Sequence, residues 1–153
     1  MIEYLPAFLQ GLVTSAKAMA SFDAFRKGRK GDVRALIEEM KENSRLCFRV
    51  VSDDVDMGIV VPKFMTIEFD RLNKAGFNFN VLKGAKIPGY SGMAKTDLAS
   101  WQGKSTAELV QNIYYKIKTI KSAVEYTPNH PTARRRIINI HKRVLLFLRH
   151  AEA

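Results

Sequence analysis

The stretch T-A-R-R-R-I-I-N-I-H-K-R-V-L-L-F-L-R-H, residues 132–150, decides the fold class of this chain. Successive residues of an α-helix are turned by about 100°, and on that spacing the stretch separates into two faces. Ile137, Val144, Leu148, Leu145 and Ile138 fall within about 60° of His141. Ala133, Ile140 and Phe147 widen the apolar arc on one side. The opposite half receives Arg135, Arg136, Asn139, Lys142, Arg143, Arg149 and His150, with Leu146 the one apolar residue among them. An amphipathic helix with a wide buried face is predicted.

Working back from it, Thr127-Pro128-Asn129-His130-Pro131 breaks the chain, and the segment before the break reads as another helix. Leu109, Val110, Ile113, Ile117, Ile120 and Val124 form its stripe to about Tyr126. Ser105 and Glu108 have the spacing of a capping box, in which each side chain satisfies the other residue's backbone amide. A second helix is predicted over 32–51, with Asp32 as N-cap and Val33, Leu36, Ile37, Met40, Cys47, Phe48 and Val51 buried. A first is predicted over 2–27, from Ile2, Leu5, Leu9, Leu12, Ala16 and Met19, with Gly28 and Gly31 as stop and turn. Between 61 and 82 two patterns compete. Met65, Phe69 and Leu72, between Pro62 and Gly76, have helical spacing, whereas Met65, Ile67 and Phe69 also alternate as in a hairpin. The helix is favoured because Pro and Gly stand where a helix tolerates them. Residues 83–104, with five glycines and prolines, read as a long loop that Tyr90 and Trp101 pin to the body of the protein.

The expected architecture is therefore all-α: one domain over 1–153, a bundle of four long amphipathic helices plus one short helix, with a long Gly-rich loop before the fourth. At 153 residues the chain is long enough for one core without a disulfide or metal. Cys47 is its only cysteine, so no intramolecular disulfide forms, and its apolar neighbours suggest a buried thiol. No run of about 18 apolar residues suits a membrane span. Glu3 and the interruption at Gln10-Gly11 do not fit a secretory signal. A soluble, cytoplasmic protein is expected.

The formal charge is +10, from 25 Lys+Arg against 15 Asp+Glu. Residues 98–153 carry 10 of those cations and 3 of the acids, a net of +7. Such a surplus favours acidic partners. A charged helix face is ordinarily just solvated, but no acid lies between Glu125 and Glu152 to pair with this one. Arginine binds phosphates bidentately, so the basic face of the last helix (Arg135, Arg136, Asn139, Lys142, Arg143, Arg149, His150) is the expected anion or nucleic-acid surface. The expected function is backbone-directed nucleic-acid binding, or docking into a nucleic-acid-handling assembly. An adaptor or homo-oligomer-forming bundle that meets an acidic protein is the alternative.

An arginine with four to six residues between it and a following histidine resembles the motif of HEPN-type ribonucleases, which are small all-α domains. Arg134 with His141, Arg136 with His141 and Arg143 with His150 have such spacing. The resemblance extends to the motif and the α class alone. Arg134 lies about 20° from His141 round the helix and Arg136 about 140° away, so the first pair is the better placed. The resemblance implies a third reading, in which Arg134 stabilises a phosphate and His141 acts as general acid or base. The ordinary role of such a histidine is a hydrogen-bonded core position.

Two other motifs fail. Gly103-Lys104-Ser105-Thr106 has the end of a phosphate-binding loop, but Leu98 stands where the upstream glycine belongs. Asp54-Val55-Asp56-Met57-Gly58 opens like a calcium loop, but its twelfth position is Met65. No metal and no cofactor is expected.

Overall fold

The computed structural model describes residues 5–152. The described residues form helices and turns with no strand: α1 Ser15–Arg26, α2 Gly31–Val51, α3 Met57–Val60, α4 Ile67–Lys74, α5 Thr106–Tyr126 and α6 Ala133–Glu152. The chain is all-α, and helix wins over hairpin in the ambiguous stretch.

Helix α6 is the axis of the assembly. It packs on α5, α2, α1 and the 3-10 turn Ala7–Leu12. Neighbours on several sides account for how little of it meets solvent: Ile137, Ile140, Val144, Leu145, Phe147 and Leu148 are all fully buried. Leu146 is fully buried too. Phe25 meets Phe147 edge-on at 5.9 Å, joining α1 to this core.

The expectation of four long helices is corrected at the N-terminus. Instead of one helix over 2–27, there is the 3-10 turn Ala7–Leu12 and then the 12-residue α1. Ile2 lies outside the described residues. The break is at Thr14, which is extended (φ −107°, ψ 152°) and whose hydroxyl accepts from the Lys17 amide at 3.2 Å. A threonine that caps a new helix cannot continue an old one. Helix α2 also starts slightly earlier than predicted. Lys30 is its N-cap, and Asp32 sits in the first turn and pairs with Arg71 at 2.9 Å.

Two buried side chains of α2 hold the segment leading into α4. The Asn43 amide donates to the Met65 carbonyl and its oxygen accepts from the Met65 amide, both at 2.8 Å. The Glu39 carboxylate accepts from the Glu68 and Phe69 amides at 2.7 and 3.2 Å, which satisfies the open N-terminus of α4. Gly76, in the left-handed region at φ +77°, closes α4, and the Phe77 amide returns to the Leu72 carbonyl at 3.0 Å.

The long glycine-rich segment 83–104 is packed rather than open. The Ile87 amide donates to the Lys104 carbonyl at 2.9 Å, and the Gly103 amide donates to the Ile87 carbonyl at 2.8 Å, which ties its two ends together. Ile87, Met93, Leu98 and Trp101 are buried, and Tyr90 stacks on Phe8 at 5.2 Å. The capping box that starts α5 is formed in full, with Glu108 accepting from the Ser105 amide at 2.7 Å and Ser105 Oγ accepting from the Glu108 amide at 3.2 Å. Ser105→Ala is expected to lower the unfolding free energy by about 1 kcal/mol in urea titrations. No change would mean that the box contributes nothing to α5.

Candidate functional site

The basic residues of α6 do not form one continuous exposed face. Arg135 and Arg149 are exposed, Arg136, Asn139, Lys142 and Arg143 are partly buried, and His150 is buried. Segment 83–104 meets part of this face. Its Asp97 pairs with Lys142 at 3.4 Å, and its Tyr90 lies beneath the Arg149 guanidinium at 4.7 Å. Lys142 and Arg149 thus meet protein, and Leu146, at the middle of the basic arc, is fully buried.

His150 needs a correction of its own. The helical angle places it with the basic residues, yet it is buried, with Nε2 3.1 Å from the Thr106 hydroxyl. That hydroxyl donates to the Lys83 carbonyl at 2.7 Å. Burial lowers the His150 pKa, against a hydrogen bond with the Ala85 backbone that raises it. His150 joins α6 to the start of α5 and to the segment before it.

Arg134 and His141 are engaged separately. The Arg134 guanidinium donates to the Val50 carbonyl at 3.1 Å and lies 3.4 Å from the Asp54 carboxylate. His141 is 1% exposed, meets Phe48 edge-on at 4.5 Å and has no hydrogen-bond partner at Nδ1. Burial pushes its pKa down to about 4, so it is a neutral core histidine at neutral pH. Cys47 is likewise buried, and burial pushes its thiol up, away from the thiolate.

The N-terminal half of the α6 face is where cations converge, and α5 contributes to it. A groove of about 170 Å³ is lined by Tyr115, Lys116 and Thr119 of α5 and by Arg136 and Asn139 of α6. The α5 residues recur at intervals of three and four, which is one side of the helix, as do Arg136, Asn139 and Arg143 on α6. Burial is the main cause that lowers the Lys116 pKa, and repulsion from Arg143 and Arg136 adds to it. Arg143 is lowered by burial, with Asp97 acting in the opposite direction. Its guanidinium donates to the Asn139 carbonyl at 3.0 Å, while its buried Nε and the buried Asn112 Oδ1 lack partners. Among the described residues no carboxylate lies within ion-pair distance of Lys116, Arg135 or Arg136.

Next to this groove, and sharing Tyr115 with it, is a more open hollow lined by Trp101, Lys104, Glu108, Gln111 and Asn112. The Lys104 ammonium lies over the Trp101 ring at 4.9 Å. Lys116 and Tyr115 were not among the residues the sequence singled out, and Lys104 stood out only in the failed phosphate-loop motif, beside the start of a helix. Asn112, Lys116 and Thr119 do form a polar stripe at helical spacing, but nothing in the sequence says that it meets the α6 arginines. No helix among the described residues is long and apolar enough to cross a membrane. A comparison with known protein families, curated proteins and solved structures finds no match for the chain.

Proposed function

We propose that the protein binds nucleic acid through the phosphate backbone, with little sequence readout, using Lys116 and Arg136 in the α5–α6 groove together with Arg135 and Arg143 of α6. One observation carries this reading. Two cations, Lys116 and Arg136, line a groove that contains no carboxylate, and the charged form of Lys116 is disfavoured there by burial and then by repulsion from Arg143 and Arg136. An incoming polyanion relieves that repulsion. Arginine and lysine in this arrangement displace condensed counterions when they neutralise phosphates, and that release drives association. Asp97, the carboxylate that acts on Arg143, is tied to Lys142 and does not line the groove.

Titration with mixed-sequence RNA and DNA across a salt series tests the proposal. With three or four phosphates neutralised, the log–log slope is expected near about −2.5, so affinity falls about thirtyfold between 50 and 200 mM salt. The double variant Lys116→Gln, Arg136→Gln is expected to flatten that slope by about 1.5. Absence of binding at low salt would remove the reading. Binding of polyglutamate without binding of nucleic acid would instead support the adaptor alternative. Catalysis is not included, because His141 is enclosed in the core.

A further inference from the structure

We infer that the preferred ligand is single-stranded rather than duplex nucleic acid, with Tyr115 as the platform on which a base stacks. This deepens the nucleic-acid reading and rests on it. Tyr115 is 69% exposed on the middle of a regular helix, where a tyrosine gains little from burial. It is a shared wall of the α5–α6 groove and of the hollow beside Trp101. Cations stand on both sides of it, Lys116 and Arg136 in the groove and Lys104 in the hollow. Glu108 also lines the hollow, but its carboxylate is turned to the Ser105 amide and hydroxyl.

A strand laid along this path would follow α5 from its N-terminus to Lys116, about 15 Å at 1.5 Å per residue, the length of about four stacked nucleotides. Sites that bind single strands combine such a charged track with an aromatic face, and the stacking is tolerant of sequence because every base presents a π surface. A duplex offers base faces only at its ends, so an exposed ring among its phosphate contacts would have nothing to stack on. Among the described residues the other exposed tyrosine, Tyr126, is 83% exposed at the far end of α5 and lines neither the groove nor the hollow. It provides the internal control.

The test is fluorescence anisotropy with labelled U12 and dT12 strands and a 12-base-pair duplex, at one salt concentration. At least one of the strands is expected to bind about tenfold more tightly than the duplex. Tyr115→Ala is expected to weaken strand binding about tenfold and leave duplex binding unchanged. Tyr115→Trp should retain the strand, and Tyr126→Ala should behave as wild type. Duplex binding as tight as strand binding would overturn the inference, as would a Tyr115→Ala effect that is absent or equal on both ligands; in these cases backbone binding itself would stand. Failure of all three ligands to bind would remove the underlying reading together with this one.

Discussion

Leu146→Ala is expected to lower the free energy of unfolding by about 3 kcal/mol, although the residue lies in the middle of the helix's basic arc. Judged from α6 alone, Leu146 shares a side with Arg135, Lys142, Arg149 and Asn139, and truncating it there should matter little. In the folded protein it is fully buried, with Asp97 and Tyr90 of segment 83–104 meeting Lys142 and Arg149 on the same side. Removing its side chain forfeits transfer free energy and leaves a cavity. Leu146→Arg, which would merely extend the basic arc of an isolated helix, is expected to prevent folding, because it buries an unpaired charge. Arg135→Ala, on the exposed part of the same arc, should change stability by no more than about 0.5 kcal/mol. Urea unfolding followed by the fluorescence of Trp101, the only tryptophan, measures all three. A cost below about 1 kcal/mol for Leu146→Ala would show that Leu146 is not part of the core.

The second large effect is on acid stability. A neutral histidine in the core takes up its proton more readily once the chain unfolds, so the sign of the linkage is set. The folded pKa of His141, about 4, lies below the unfolded value of about 6.5, so the unfolded state binds more protons between those limits. Stability is fully present above about pH 6.5 and is lost as the pH falls towards 4, by about 2 kcal/mol at pH 5 and about 3 kcal/mol at pH 4. His150, whose pKa burial also lowers, acts in the same direction. His141→Leu is expected to remove most of this dependence. It should leave stability at pH 7 unchanged or raised, since it deletes a buried nitrogen with no partner. A wild-type stability that stays flat from pH 6.5 to pH 4.5 would rule out the neutral, buried state.

The elements that could be read from the sequence are those whose signals are local. The capping box at Ser105 and Glu108 is a pattern within four residues, and it forms in full. Pro62 and Gly76 bracket the ambiguous stretch, and α4 lies between them. The cap at Thr14 was missed because the residue three positions later is Lys17, so the reciprocal glutamate that marks a capping box is absent. The apolar spacing runs straight through the break and conceals it.

The candidate site was legible only on one of its two walls. Arg135, Arg136, Asn139 and Arg143 stood out because the last helix is dense in arginine and lacks acids. Lys116 and Tyr115 did not, because each is an ordinary surface residue of its own helix and becomes part of a groove only when α5 is laid against α6.

What the sequence determined by itself is the all-α class, the positions of α2, α5 and α6 to within one or two residues, and the surplus of positive charge near the C-terminus. Those follow from hydrophobic periodicity, capping chemistry and composition, which depend on residues close together in the chain. Tertiary structure alone decided which cations remain accessible. A helical angle gives a side chain's direction about its own axis and says nothing of what is packed there. Segment 83–104 engages Lys142 and Arg149, Leu146 and His150 are buried, and α5 brings Lys116 and Tyr115 beside Arg136. The basic arc of the same helix consequently holds two buried residues, Leu146 and His150, and a groove wall at Arg136 and Asn139.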